Sequence, residues 1–267
     1  MRLAAVVMAA SVLAAAPAHA DRIVLTFDGS AYGIIPLGRA SLDFSVDPDA
    51  YRVGGQIQSG GLAALFDRTD LRAISTGGAD AIVWRTYDLD HSYAKKRRIV
   101  AMKATPDGVN ADITPPFRVS INPPSDADKR GARDPLSSIV AMAATVARTG
   151  DCTGVYPTFD GRFRYDLTLR VEGRTRHSGG GYDGPVLKCK LRYTPVSGYD
   201  TPKQMSKRIP EGEIWFALDG DVALAAPVRV SAPLPLGHAT IKLSSYKRAR
   251  VDVATETAAT SPQPLRP

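Results

Sequence analysis

The clearest signal in the chain is an alternation of apolar and polar residues with a period of two. Between residues 38 and 46, Ala40, Leu42, Phe44 and Val46 fall on one side, and Arg39, Ser41, Asp43 and Ser45 on the other. This is the pattern of a strand with one buried face. Residues 51–58 continue as a second strand, loosened by Gly54-Gly55. Residues 60–76 fit either a helix carrying Leu62, Leu65 and Phe66 or a meander between glycines. Residues 98–104 and 109–113 flank Pro106-Asp107-Gly108, which predicts a hairpin. A longer hairpin is expected further on. Phe163, Tyr165, Leu167, Leu169 and Val171 alternate with polar residues, and after Gly179-Gly180-Gly181 so do Leu187, Cys189, Leu191 and Tyr193. Cys189 then points to the buried side. Strands are also expected at 213–218, 222–230 and 239–246. The segments starting Pro36-Leu37-Gly38 and Pro235-Leu236-Gly237 share the pattern Pro-Leu-Gly-x-Ala-[Ser/Thr]-[Leu/Ile], a weak hint that two similar strands lie close together.

One stretch breaks the period. Asp134 is a good N-cap, Pro135 suits the first helical position, and Gly150 stops the run as a left-handed cap residue. Between them the polar residues are few: Ser137, Ser138 and Thr145, on one narrow face, with Arg148 at the end. A helix this apolar belongs inside a protein. Among so many strands, it must lie in the concavity of a sheet or plug a barrel. Residues 114–133 are Pro-rich and charged and read as a loop or linker.

The ends of the chain have another character. Residues 1–20 hold Arg2, an apolar run from Leu3 to Ala16, and Ala18-His19-Ala20. This is the layout of a cleavable secretory signal, too short to span a bilayer that needs ~20 apolar residues. With no cysteine at the cut, a lipoprotein is not expected. Residues 251–267 end in Thr-Ser-Pro-Gln-Pro-Leu-Arg-Pro and read as a disordered tail. A single β-rich domain is therefore expected over residues 21–250, with no transmembrane anchor and a periplasmic location. The chain carries a net charge of +7, of which the signal supplies only Arg2, so anionic lipid or polymer partners are favoured. Export disfavours nucleic acid.

Cys152 and Cys189 are the only cysteines. In an oxidising compartment such a pair reads as a structural disulfide, since Cys-x-x-Cys redox spacing is lacking. It would staple the helix end to the inner face of the long hairpin.

The segments Asp134-Pro135-Leu136-Ser137, Phe159-Asp160-Gly161-Arg162 and Cys189-x-x-x-Tyr193-x-x-x-x-Gly198-Tyr199 resemble an envelope family of Gram-negative bacteria, the "domain of unknown function 3108" proteins. The resemblance runs from about residue 34 to 250. It implies export and a β-rich fold, and no catalytic residues. Such folds are similar to the open half-barrels of lipoprotein and lipid carriers, an analogy at the level of fold.

No cofactor, metal or catalytic constellation is expected. Asp88-Leu89-Asp90-His91 is the most metal-like cluster but offers few oxygen ligands, and reads as a polar turn before a strand. There is no Gly-x-Ser-x-Gly elbow. The Gly-Gly-Gly tip lacks the lysine and helix of a phosphate loop. The basic face of the long hairpin is the candidate site. Parity collects Arg162, Arg164, Arg170, Arg174, Arg176, Lys188, Lys190 and Arg192 there, against Asp166 and Glu172. Like charges facing one another across strands are destabilising, so this face reads as a surface for anions or headgroups, or else as a solvated face that deters edge aggregation. The expectation is a mainly β, strongly curved open half-barrel enclosing one apolar helix. Its expected function is non-enzymatic: binding or carrying an amphipathic, lipid-like envelope molecule. An envelope adaptor using the basic face is the alternative, and a hydrolase comes third.

Overall fold

The computed structural model describes residues 19–252 except 62–63, 65–67, 207–209, 221 and 235–236. Most of the expected signal, residues 1–18, and the tail from 253 on lie outside the described residues. Two antiparallel meanders make up the fold. The first comprises β1 (His19–Ala31), β2 (Ile35–Val46), β3 (Ala50–Ser59), β4 (Asp70–Gly78), β5 (Val83–Tyr93), β6 (Lys96–Thr105) and β7 (Gly108–Thr114). The second comprises β8 (Gly154–Phe159), β9 (Arg164–Gly179), β10 (Tyr182–Ser197), β11 (Gly212–Ala217), β12 (Pro227–Leu234) and β13 (Gly237–Asp252). Pairing of β1 with β13 joins them into one 13-stranded sheet whose edges are β7 and β8. The sheet curls on itself and stays open, as expected.

Three inward-facing rows of the first meander, read from the strand register, explain the interior. The deepest holds Ile23, Phe44, Val53, Ser75, Tyr87 and Met102. The middle row holds Leu25, Leu42, Gly55, Ala73, Leu89 and Val100, and the outermost Phe27, Ala40, Ile57, Leu71, His91 and Arg98. Side chains thus shrink in the centre of the middle row and turn polar at one end of the outer row.

The helix α2 (Pro135–Thr149) lies in this concavity, preceded by one short turn of helix, α1 (Asp126–Lys129). Leu136, Val140, Met142, Ala143 and Val146 are buried. Gly55 sets how closely the helix approaches: a Cβ there would come within 3.0 Å of a Leu136 methyl. The N-terminus is anchored through Asp134, which is fully buried. Its Oδ1 accepts the amides of Leu136 (2.9 Å) and Ser137 (3.0 Å), and its Oδ2 accepts the hydroxyls of Ser75 (2.8 Å) and Ser137. Tyr51 on β3 closes the network at 2.6 Å from the Ser137 hydroxyl, and burial pushes the Tyr51 phenol up to about 12. Ser138 meets Thr158 of β8 at 2.8 Å. The polar residues of the helix therefore bind it to strands on both sides. At the other end, Gly150 adopts the expected left-handed cap, and Cys152 and Cys189, both fully buried, form the expected disulfide.

The gap between β7 and β8 is bridged without a sheet ladder. The Arg133 amide donates to Pro157 O, and the Phe159 amide donates to Arg133 O, both at 2.8 Å. The β8–β9 turn presses onto the inner face of β6, where a Cβ on Gly161 would meet Val100 at 2.9 Å. The Pro-rich segment after β7 is a strap: Asn122 O accepts the Gly198 amide at 2.7 Å, and its side chain accepts the Tyr199 amide.

Several sequence expectations need correction. β1 was not foreseen, although Ile23, Leu25 and Phe27 alternate within it. The strand expected at 222–230 starts only at Pro227, because the preceding Leu224, Ala225 and Ala226 are buried and the Ala225 amide donates to Ala143 O of the helix. Asp88-Leu89-Asp90-His91 lies within β5, not in a turn, so its carboxylates and its imidazole alternate between faces. Residues 70–78 are strand, and part of the ambiguous 60–76 segment lies outside the described residues. The two echoing segments begin β2 and β13, which flank β1. Gly38 in the first must be glycine, since a Cβ would lie 2.0 Å from Gln58 O.

Two predictions follow from the helix anchors. Cys152→Ser/Cys189→Ser should lower stability by about 3–4 kcal/mol, the chain-entropy value for a loop of this size, measured by urea unfolding under oxidising conditions. Burial holds the Asp134 carboxyl above the ordinary carboxylate range despite the hydrogen bonds it accepts. A carboxyl raised in the folded state contributes stability that is fully present below its unfolded-state value, about pH 4. That contribution is lost as pH rises through the folded value. The stability of wild type relative to Asp134→Asn should therefore be greatest in acid and shrink toward neutral pH. A difference that grows with pH would contradict this.

Candidate functional site

The helix does not fill the concavity. Above Leu136 and Ile139 and below the outer row remains a cavity of about 610 Å³. Its walls are Leu42, Gly55, Ala73, Leu89 and Val100 from the first meander, with Ile214, Pro227, Val230 and Ile241 from the second. The small residues at the centre of the middle row open this space. Its volume lies within the ~300–1,000 Å³ of small-molecule pockets, which combine apolar walls with a few placed polar groups.

Those groups lie at one side of the mouth. His91 and Tyr93 of β5 pack with ring centroids 4.6 Å apart. Arg98 of β6 lies 4.0 Å from the centre of the Phe117 ring, and Arg162 in the β8–β9 turn lies 5.1 Å from the same ring. Phe117 belongs to the strap. Asp160 also lines the cavity; its Oδ1 accepts the amides of Arg162 and Phe163, and burial pushes its carboxyl above the ordinary range. Behind it stand stacked rings: Phe163 on Tyr199 and Tyr165 on Tyr193, with the Tyr193 and Tyr199 hydroxyls 2.5 Å apart. Burial raises the Tyr193 and Tyr199 phenols, so both stay neutral donors at ordinary pH.

The long hairpin distributes its bases differently from the expectation. Arg162 lines the cavity. Arg164 is buried, donating to Asp128 O and pairing with Asp166 at 2.7 Å. Arg174 does not share the outer face. Glu172 is an extra residue in β9, since Lys188 pairs with Gly173 and Cys189 with Val171. That bulge shifts the parity beyond it. Arg174 lies opposite the buried Leu187 and donates to Gly150 O, capping the helix C-terminus. Arg176 pairs with Asp183 at 3.0 Å.

The remaining bases form an ion-paired strip. Arg170 and Arg192 bind Glu211 at 3.0 and 2.7 Å, Lys190 binds Glu172 and Glu213 at 2.9 and 2.5 Å, and Lys188 lies 3.4 Å from Glu172. Glu211 and Glu213 come from the neighbouring β11 and its approach, which strand-by-strand parity does not see. Phe117 at the mouth was missed, and Arg98 read only as part of the charge run Lys95-Lys96-Arg97-Arg98 that could extend the basic patch. Arg98 falls on the apolar parity of β6, and that position was the available signal.

Among the described residues, no group of three or more potential metal ligands comes together, and no helix is long and apolar enough to cross a membrane.

Comparison with known proteins bears on fold and family. The model of the family described as "Protein of unknown function (DUF3108)" matches residues 26–244. The chain belongs to the DUF3108 family. In this DUF3108 chain the first two motif segments supply cavity-lining residues, Pro135, Leu136, Asp160 and Arg162, and Tyr199 of the third stacks on Phe163 beside them. A crystal structure described as a beta-barrel-like protein of domain of unknown function DUF1849 from Brucella abortus is similar in fold, with a TM-score of 0.57 at 10% identity. The match covers 85% of this chain and 98% of that one. A comparison with curated proteins finds no match.

Proposed function

We propose that this DUF3108 protein is an exported, non-enzymatic binding or carrier module for an amphipathic, lipid-like molecule of the cell envelope. One observation carries the reading: the concavity holds a helix and still keeps a mostly apolar cavity of about 610 Å³ with few polar groups in its lining. A close-packed interior leaves few voids larger than a water molecule. The space is therefore best explained by an occupant. Export through residues 1–20 and a periplasmic location belong to the same proposal. A buried disulfide supports them, since such bonds persist in oxidising compartments. Cleavage after Ala20 would leave β1 starting at Asp21, with most of its pairing intact. The adaptor reading has less support, because the outer strip sets four bases against the three carboxylates Glu172, Glu211 and Glu213.

Uptake of a fluorescent acyl probe tests the reading. The wild-type protein should bind it saturably. Ala73→Phe and Ala40→Phe each place a ring in the cavity, and should lower affinity by on the order of tenfold or more while leaving the fold intact, because the added volume fills existing space. Binding unchanged in both variants would place the probe elsewhere and sink the proposal.

A further inference from the structure

Two groups of cations in this protein differ in how they are paired. Those on the outer face of the long hairpin are paired with carboxylates. At the cavity mouth the pairing is incomplete. No carboxylate among the described residues pairs with Arg98; its Nε donates to Pro115 O at 3.2 Å and its guanidinium covers Phe117. Arg162 gives Nη2 to Asp200 at 2.5 Å, but its Nε is buried with no hydrogen-bond partner among the described residues. Arg162 lines the cavity, although this nitrogen itself is closed off from it. Asp160 shares this rim, yet its Oδ1 is already turned to the Arg162 and Phe163 amides, and burial favours its neutral form.

Building on the carrier reading, we propose that the cavity takes a single-chain amphiphilic acid. Its tail packs over Leu136 and Ile139, and its carboxylate or phosphate head sits at the mouth against the guanidinium of Arg98, with Arg162 beside it. A cation over a ring face is held more weakly than one in a charge-assisted hydrogen bond, so the arriving head takes Arg98 from Phe117. The strap that carries Phe117 then borders the bound head. The volume suits one chain, and the apolar side of the mouth, at Ile57 and Ile241, offers nothing to an anion. The head is thereby oriented toward the arginines.

The test compares four probes with the same hexadecyl chain: hexadecanoate, hexadecyl phosphate, hexadecanol and hexadecyltrimethylammonium. Each competes with the fluorescent acyl probe on the wild type, Arg98→Gln and Arg98→Lys, with melting curves to confirm folding. On the wild type the two acids should bind roughly tenfold or more tightly than the alcohol, the size of one charge-assisted hydrogen bond, and the cation should bind most weakly. Arg98→Gln should cut the preference of acid over alcohol severalfold, and Arg98→Lys should keep more of it. Equal binding of acid and alcohol to the wild type overturns the head site and leaves the carrier reading standing. An acid preference left unchanged by Arg98→Gln overturns the place assigned to the head. If none of the four binds, the carrier reading itself fails.

Discussion

A helix that starts inside a curled sheet must satisfy its buried first turn, because water cannot reach the amides there that lack partners within the helix. Much of this structure answers that constraint. At the N-terminus Asp134 takes two helix amides on one oxygen and hydroxyls from α2 and β4 on the other. At the solvent-facing C-terminus Arg174 of β9 donates to the Gly150 carbonyl, and the buried disulfide fixes the chain two residues later. The bulge at Glu172 makes the Arg174 contact possible. A local irregularity in one strand is thus explained by the end of a helix packed against its inner face.

The same helix explains why the sheet need not close. Between β7 and β8 the gap is spanned by contacts that depend on it: the residue just before the N-cap, Arg133, pairs with β8, and Ser138 meets Thr158. The strap from β7 to the end of β10 completes the bridge. Because the helix sits low against Gly55 and the deepest row, small residues in the row above leave space where a closed, fully packed barrel would have side chains. The cavity is a consequence of where the helix is held.

Apart from β1, β4, β5 and β8, the strands could be read from the sequence, as could the helix with its capping Asp134 and Gly150, the disulfide and the open curled sheet. They rest on local patterns: period two, a capping aspartate, a terminal glycine, a cysteine whose parity puts it inside. What could not be read depends on neighbours distant in sequence. Glu211 and Glu213 neutralise the hairpin only because β11 lies beside β10. The bulge that turns Arg174 inward leaves the alternation nearly intact over any short window. Arg98 looks like one member of a charge run, and only the register places it in the row of Phe27, Ala40 and Ile57. The hairpin face that looked basic is thus largely neutralised in the folded chain, since net charge on a face is a property of several strands together.

The account rests on the cavity being an occupied site. The most direct measurement is solvent extraction of the protein isolated from the cells that make it, followed by mass spectrometry of the extract. One amphiphile per protein chain, absent from protein carrying Ala73→Phe, is the predicted result. An extract with no stoichiometric amphiphile, from protein that also shows no rise in melting temperature on adding lipid, would contradict it.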